Sequence, residues 1–279
     1  MAVSTAPLIE WLGSAEGDAG TLGGKAASLD RLARMGFRIP PGFCLTTAAF
    51  RRQLGDVETD GADGSIAERL EHEALDAELA EGLRAAVSRL TAEAPQPSFA
   101  VRSSAIGEDG AVASYAGLHE TELGVAPDGV DASVRRCWAS LWSPAALAYR
   151  TFRGISMHGE AMAVVVQSLV PADAAAVAFT RHPVTGREDQ LVITAVRGLG
   201  DAMVSGTVTP DTYVIDKASL TTVDFEPGET DEALDSELLR ELARLCLQVE
   251  AGFGRAVDIE AAVTNRTWYL LQARPITTQ

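Results

Sequence analysis

Short apolar runs alternate with amphipathic stretches along this sequence, and together they predict a mixed α/β (α+β) protein. Three observations carry the prediction. The apolar runs at 98–103, 161–170 and 191–196 are bounded by breakers or polar residues and read as short strands. Segments 22–35 and 66–90 repeat apolar residues at helical spacing, and 230–254 reads as a further helix. A chain of 279 residues, 47% hydrophobic and 22% charged, can bury the core of one large domain or of two lobes.

In chain order, Leu22, Ala26, Leu29, Leu32 and Ala33 form one face of a helix over 22–35, closed by Gly36. FRIPPGFCL (37–45) is a proline-stiffened turn into a short strand, after which Thr46 or Thr47 caps a helix to about residue 54. An acidic linker at 57–64 precedes Ile66, Leu70, Leu75, Leu79, Leu83, Val87 and Leu90, which predict one long amphipathic helix with a solvated acidic face. The strand at 98–103 opens into a loop with Gly107, Gly110 and Gly117, and a second strand follows at 118–125. Two helices over 130–153 are separated by Ser143-Pro144, with Trp138, Leu141, Trp142 and Tyr149 as core. Strands at 161–170 and 191–196 flank the strand and turn at 177–186, and the chain finishes in a hairpin of 257–263 with 267–273 around Asn265-Arg266.

The net charge of −16 argues against a nucleic-acid surface, since phosphates would be repelled, but a few focused cations can still make a nucleotide pocket. The most apolar stretch, 161–179, is interrupted by Gln167, Pro171 and Asp173, which excludes a membrane span. The N-terminus has neither a basic region nor a long apolar run, so no signal peptide is expected. Cys44, Cys137 and Cys246 are odd in number and widely spaced, as reduced, buried thiols of a cytoplasmic protein would be.

Candidate chemistry lies in three places. The strand at 98–103 delivers Arg102, Ser103 and Ser104 to the edge of a glycine-containing loop, the combination a polyphosphate needs; the alternative is a long polar loop with a salt-bridged arginine. Gly23-Gly24-Lys25 stands at a helix N-terminus, which favours anions, though on the residues alone a surface lysine in the first helical turn is the safer reading. Glu260 and Gln272 fall directly opposite each other if the hairpin loop is odd-numbered, such as 265–267, whereas an even loop would separate them onto opposite faces. On one face they offer hard oxygen ligands suited to Mg²⁺, with Arg274 beside them; otherwise they are a solvated cross-strand pair. Gln167, inside an apolar run, reads as a hydrogen-bonded buried amide.

VRSSAIGED (101–109) and ASYAGLHET (113–121) closely resemble the nucleotide-binding core of the pyruvate phosphate dikinase, phosphoenolpyruvate synthase and rifampicin phosphotransferase family. GGKAASL, the VVVQSLV segment, FTRHPVTG, RGLGDAMVSG with the following VTPDTY, and DIEAA…YLLQARPI continue the resemblance from about Gly23 to Thr277. Gly110-Ala111 stands where the family usually carries Leu-Pro, Asp201 replaces a usual Glu, and Arg197 stands where an aromatic is common.

The resemblance implies a two-lobed ATP-grasp fold, 1–170 and 171–279, with the nucleotide cleft between lobes. It implies that Lys25, Arg102 and Arg274 meet ATP phosphates and act in catalysis, that Gly117 and Thr121 close over the nucleotide, and that Gln167 lies by the adenine. Glu260 and Gln272 are the implied Mg²⁺ ligands. The implied activity passes the β-phosphoryl of ATP to a histidine on a swivelling domain, then to a small-molecule acceptor, with AMP and phosphate as products. His72, His119, His158 and His182 lie in no G-G-x-x-(S/T)-H motif, so that histidine and the acceptor site are expected on a separate protein or domain. A non-catalytic ATP-binding regulatory subunit and a direct small-molecule kinase are the alternatives.

Overall fold

The computed structural model describes residues 6–55, 65–92, 97–106, 121–153, 161–229 and 232–276. The chain divides into two units, Met1–Asp30 with Pro41–Leu169 and Arg31–Pro40 with Val170–Gln279. Each unit is a sheet with helices on a face, and every strand pairing described is antiparallel.

The first unit contains β1 (Ile9–Trp11), most of α1 (Ala19–Arg34), β2 (Gly42–Leu45), α2 (Thr47–Leu54), α3 (Ser65–His72), α4 (Ala77–Ala92), β3 (Phe99–Ala105), β4 (Thr121–Val125), α5 (Val130–Ala139), α6 (Pro144–Arg153) and β5 (Met162–Ser168). Its five strands lie in the order β1-β2-β5-β3-β4. Alternation along β2, β3 and β5 sends Phe43, Leu45, Phe99, Val101, Val164 and Val166 into one core with Phe50, Leu79, Trp138 and Trp142. Trp138 and Trp142 are 0% and 2% exposed, and the Trp138 Nε1–H donates to the Met162 carbonyl at 3.0 Å. Tyr149, by contrast, is only half-buried.

The helix expected over 66–90 is two. Asp76 breaks it: its Oδ1 accepts from the Glu78 and Leu79 N–H groups and also takes the Arg52 Nε–H, so a capped helix restarts at Ala77. Leu75 stays buried through the break, which is why the apolar spacing ran on undisturbed. Thr46 stands at the start of α2 but makes no side-chain cap; its hydroxyl donates to the Pro7 carbonyl instead.

The second unit contains β6 (Ala174–Phe179), β7 (Gln190–Arg197), the short α7 (Asp201–Val204), β8 (Asp211–Asp216), β9 (Thr222–Glu226), α8 (Ser236–Phe253), β10 (Val257–Thr264) and β11 (Thr267–Pro275). Its six strands run β11-β10-β6-β7-β8-β9. Leu239, Leu242, Cys246 and Val249 of α8 pack on Ala176, Ile193, Ile259 and Leu270 of the sheet, joined by Leu32 from the end of α1. The helix begins at Ser236 rather than near 230 because the Asp235 carboxylate accepts the Glu237 and Leu238 N–H groups. Arg266 adds ion pairs of 2.7 Å to both Asp235 and Glu237, and with those N–H groups holds the Asp235 carboxyl down at about 2. Gly254, in the left-handed region, closes the helix.

Candidate functional site

In the first unit the strand register gathers the expected residues onto the sheet face opposite the helical core. Ala100 and Gly42 both pair with Gln167, Arg102 pairs with Val165 and Thr121, and Ser104 pairs with Ala163. Directly paired residues share a face, so Arg102, Thr121, Gln167 and Ser104 point the same way. Gln167 is 2% exposed. A Cβ at Gly42 would stand 2.7 Å from the Gln167 Cγ and 2.5 Å from the Val166 carbonyl, so only glycine leaves that amide its place. Arg102 is half-buried and Thr121 exposed. Gly117, His119 and the Gly110-Ala111 departure lie outside the described residues.

Lys25 lies on α1, which is bonded to β3 through Ser104. That helix is broken at Gly23, where φ is 72° and ψ 173°. The break is made by Ser104, whose hydroxyl donates to the Leu22 carbonyl at 2.8 Å and accepts the Ala26 N–H at 3.1 Å. Those two groups are the partners of one ordinary i→i−4 helical bond, so a side chain from β3 has entered the ladder. Lys25 lies within the opened turn and is 9% exposed. The GGK and VRSSA motifs are therefore joined directly, although 78 residues separate Ala26 from Ser104.

The two serines do not act as a hydroxyl pair. Ser103 alternates onto the helical-core face beside Val101 and Ala105 and is 1% exposed, while the Ser104 hydroxyl is committed to α1. A second anchor escaped the sequence reading. Glu122, next to Thr121, takes two bonds from Arg136 at 2.6 and 2.7 Å and one from the Ser133 hydroxyl at 2.7 Å. It ties β4 to α5, and the Arg136 hydrogen bonds hold its carboxyl below the usual range.

In the second unit the hairpin puts Glu260 opposite Gln272 and Asp258 opposite Arg274, all on the face away from the α8 core. The route differs from the expected odd loop. Asn265 and Arg266, with φ of 47° and 56°, make a two-residue turn that pairs Thr264 with Thr267. That even register would oppose Glu260 to Leu271. A β-bulge between Glu260 and Ala261 absorbs Leu271 and restores the Glu260–Gln272 pair, while Leu270 and Ala273 both stay in the core. Thr180 anchors the start of β10: its N–H donates to the Val257 carbonyl and its Oγ1 accepts the Val257 N–H, each at 2.9 Å.

Arg274 donates from Nε to the Asp258 carboxylate at 2.8 Å, and Asp258 is 7% exposed. Burial pushes the Asp258 carboxyl up while the Arg274 guanidinium pulls it down. On the neighbouring strand, Val177 pairs with Glu260 and Phe179 with Asp258, which places apolar side chains beside the two carboxylates. Among the described residues no group of three or more His, Cys, Asp or Glu could hold a metal ion. Glu260 and Gln272 alone supply two oxygen donors, a set that suits Mg²⁺ when substrate phosphates complete its shell.

Other family-like positions are structural. The Asp211 carboxylate, 2% exposed, accepts the Gly228 and Ala233 N–H groups at 2.8 Å each and the Tyr213 hydroxyl at 3.3 Å. His182 Nδ1 accepts the Val184 and Thr185 N–H groups, so this ring shapes the PVTG turn. Arg197 donates to the Glu232 carbonyl at 2.8 Å, and Asp201 opens α7 at the surface.

Residues 19–233 match the family model for the pyruvate phosphate dikinase AMP/ATP-binding domain. The prodigiosin synthesizing transferase PigC of Serratia marcescens is 39% identical over 92% of this chain and 32% of its own length. A probable phosphoenolpyruvate synthase of Methanocaldococcus jannaschii is 34% identical over 97% of this chain and 27% of its own. The rifampicin phosphotransferase of Streptomyces sviceus is 32% identical over 94% of this chain and 35% of its own. The chain thus spans about a third of the length of these curated relatives. With most of its length matched by the one model, this chain belongs to the pyruvate phosphate dikinase AMP/ATP-binding domain family.

Proposed function

We propose that this chain is the ATP-binding part of a dikinase-type phosphotransferase. It presents the β-phosphoryl of ATP to a histidine on a swivelling domain, leaving AMP and phosphate, and the phosphoryl passes on to a small-molecule acceptor. The observation that carries the reading is the convergence of Arg102, Thr121 and Gln167 on one sheet face, with Lys25 fastened beside them through Ser104. Two cations suit phosphates, and a buried amide beside apolar Val165 suits a purine edge.

Lys25, Arg102 and Arg274 neutralise phosphate charge, Thr121 and Gly117 close over the nucleotide, and Gln167 fixes the adenine. Glu260 and Gln272 would hold Mg²⁺, which supplies charge neutralisation to the phosphates when bound. Asp258 keeps the Arg274 guanidinium oriented. Catalysis by these groups is positioning and electrostatic stabilisation rather than covalent chemistry.

The phosphohistidine and acceptor sites belong to partner domains, whether on a separate protein or elsewhere in a longer one; the relatives' greater length supports this. His182, whose Nδ1 is engaged in a turn, is not offered as that histidine. No described helix is long and apolar enough to cross a membrane, and a cytoplasmic location goes with the reading. The test is reconstitution. With ATP and Mg²⁺ the chain alone should form neither AMP nor a stable phosphohistidine, and adding a swivelling-domain protein should release AMP. Phosphate on a histidine of the isolated chain, detected under alkaline conditions, would contradict the split arrangement.

A further inference from the structure

We propose that Ser104 is the positioning residue that sets where Lys25 stands relative to Arg102; the inference rests on the ATP reading above. The Ser104 hydroxyl replaces the Ala26-to-Leu22 helical bond with two bonds of its own, at 3.1 and 2.8 Å. The replaced bond spans Gly23, Gly24 and Lys25, and its opening goes with the one non-helical residue of α1, Gly23, which sets the direction in which the helix carries Lys25. The Leu22 carbonyl, cut off from its helical donor, takes a second contact from the Cys44 thiol at 3.6 Å. Burial, reinforced by Glu10, pushes that thiol's pKa up, so it remains a neutral S–H and a weak donor. Among the described residues, only the Ser104 oxygen serves both severed groups.

Ser104 is two residues from Arg102 on one strand and shares its face. The strand therefore carries one phosphate-directed cation in its own sequence and fixes the other through a hydroxyl. Their spacing is set by one strand step rather than by the intervening 76 residues of chain from Lys25 to Arg102. No nucleotide contact is assigned to Ser104 itself, whose oxygen is already committed.

The experiment is a double-mutant cycle on the full chain, with Ser104→Ala and Lys25→Met alone and together, read as ATP affinity in Mg²⁺ and as adenosine affinity. Ser104→Ala should lower ATP affinity about tenfold, as expected for a misplaced charge, and change adenosine affinity by less than about twofold. In the Lys25→Met background the same substitution should change ATP affinity by less than about twofold, because its effect runs through the lysine. If Ser104→Ala yields no folded protein, Ser104→Cys, with a weaker donor and acceptor, should give a smaller ATP loss of about threefold and the same loss of effect without Lys25. Equal loss in both backgrounds, or equal loss for ATP and adenosine, would overturn the positioning role and leave ATP binding standing. An unaltered chain that binds no ATP would overturn the ATP reading and the inference with it.

Discussion

Gly23→Ala is the most demanding perturbation that the site offers. An added Cβ would lie 1.9 Å from the Ser104 carbonyl oxygen and 2.5 Å from both its carbonyl carbon and its hydroxyl. Ordinary contact needs about 1.5 Å more than the first of these, and the atom in the way is backbone, so no rotamer change relieves it. The backbone at φ 72°, ψ 173° is itself open essentially to glycine alone, which adds roughly 1–3 kcal/mol of strain. The unfolding midpoint should therefore fall by several degrees, at about 2–4 °C per kcal/mol for a domain of this size. ATP affinity should fall by about ten- to a hundredfold, the range for losing a hydrogen bond to a charged group, since α1 can accommodate the Cβ only by shifting and Lys25 lies two residues along it. Gly36→Ala is the control. Gly36 also has a positive φ, 87°, but nothing lies within 4 Å of the added carbon, so it should cost about 1 kcal/mol and leave ATP affinity unchanged. Paired thermal melts and ATP titrations decide the matter. A Gly23→Ala protein that melts and binds like the unaltered chain would refute the clamp described between α1 and β3.

Arg102→Ala should weaken ATP binding by about 1.5–3 kcal/mol, the range for hydrogen bonds to charged groups, and normal binding would remove Arg102 from the phosphate site. The Glu122 carboxyl is held below its ordinary 4.5 by Arg136, so its contribution to stability is fully present above pH 4.5 and is lost as pH falls through the depressed value. Glu122→Gln should lower the unfolding free energy by about 1 kcal/mol at neutral pH and by progressively less as pH falls below 4.5; a pH-independent difference would contradict the ion pair. A Glu260→Cys, Gln272→Cys protein should form a cross-link on mild oxidation, because those positions are directly paired, whereas Glu260→Cys with Ala273→Cys should not.

Much of the architecture was legible in the sequence because burial writes its own period. Continuous apolar runs at 99–101 and 162–166 marked strands, and Ser143-Pro144 marked the break between α5 and α6. What failed did so for local reasons. Leu75 and Leu79 keep helical spacing across the end of α3, so the periodicity hid a break that only the Asp76 cap reveals. All five residues of β9 are exposed, and β1 has only three residues, so neither carries enough burial pattern to be seen. The hairpin reading reached the Glu260–Gln272 pairing through a loop length the chain does not have. A bulge cannot be counted from turn residues, and Leu271 is the same residue type as Leu270 before it. At the site, residue type and motif gave the cations and the amide. They could not show that Ser104 belongs to α1, because a contact across 78 residues leaves no mark in local spacing.

The central claim is that this chain binds ATP through Mg²⁺, and isothermal titration of the purified protein with ATP measures it directly. Binding should be detected with Mg²⁺ present and should weaken strongly once a chelator removes the ion, because Glu260 and Gln272 would hold the nucleotide through it. Glu260→Gln should weaken the Mg²⁺-supported binding and leave the residual, metal-free binding unchanged. No heat at millimolar nucleotide, or equal affinity with and without the chelator, would contradict the account.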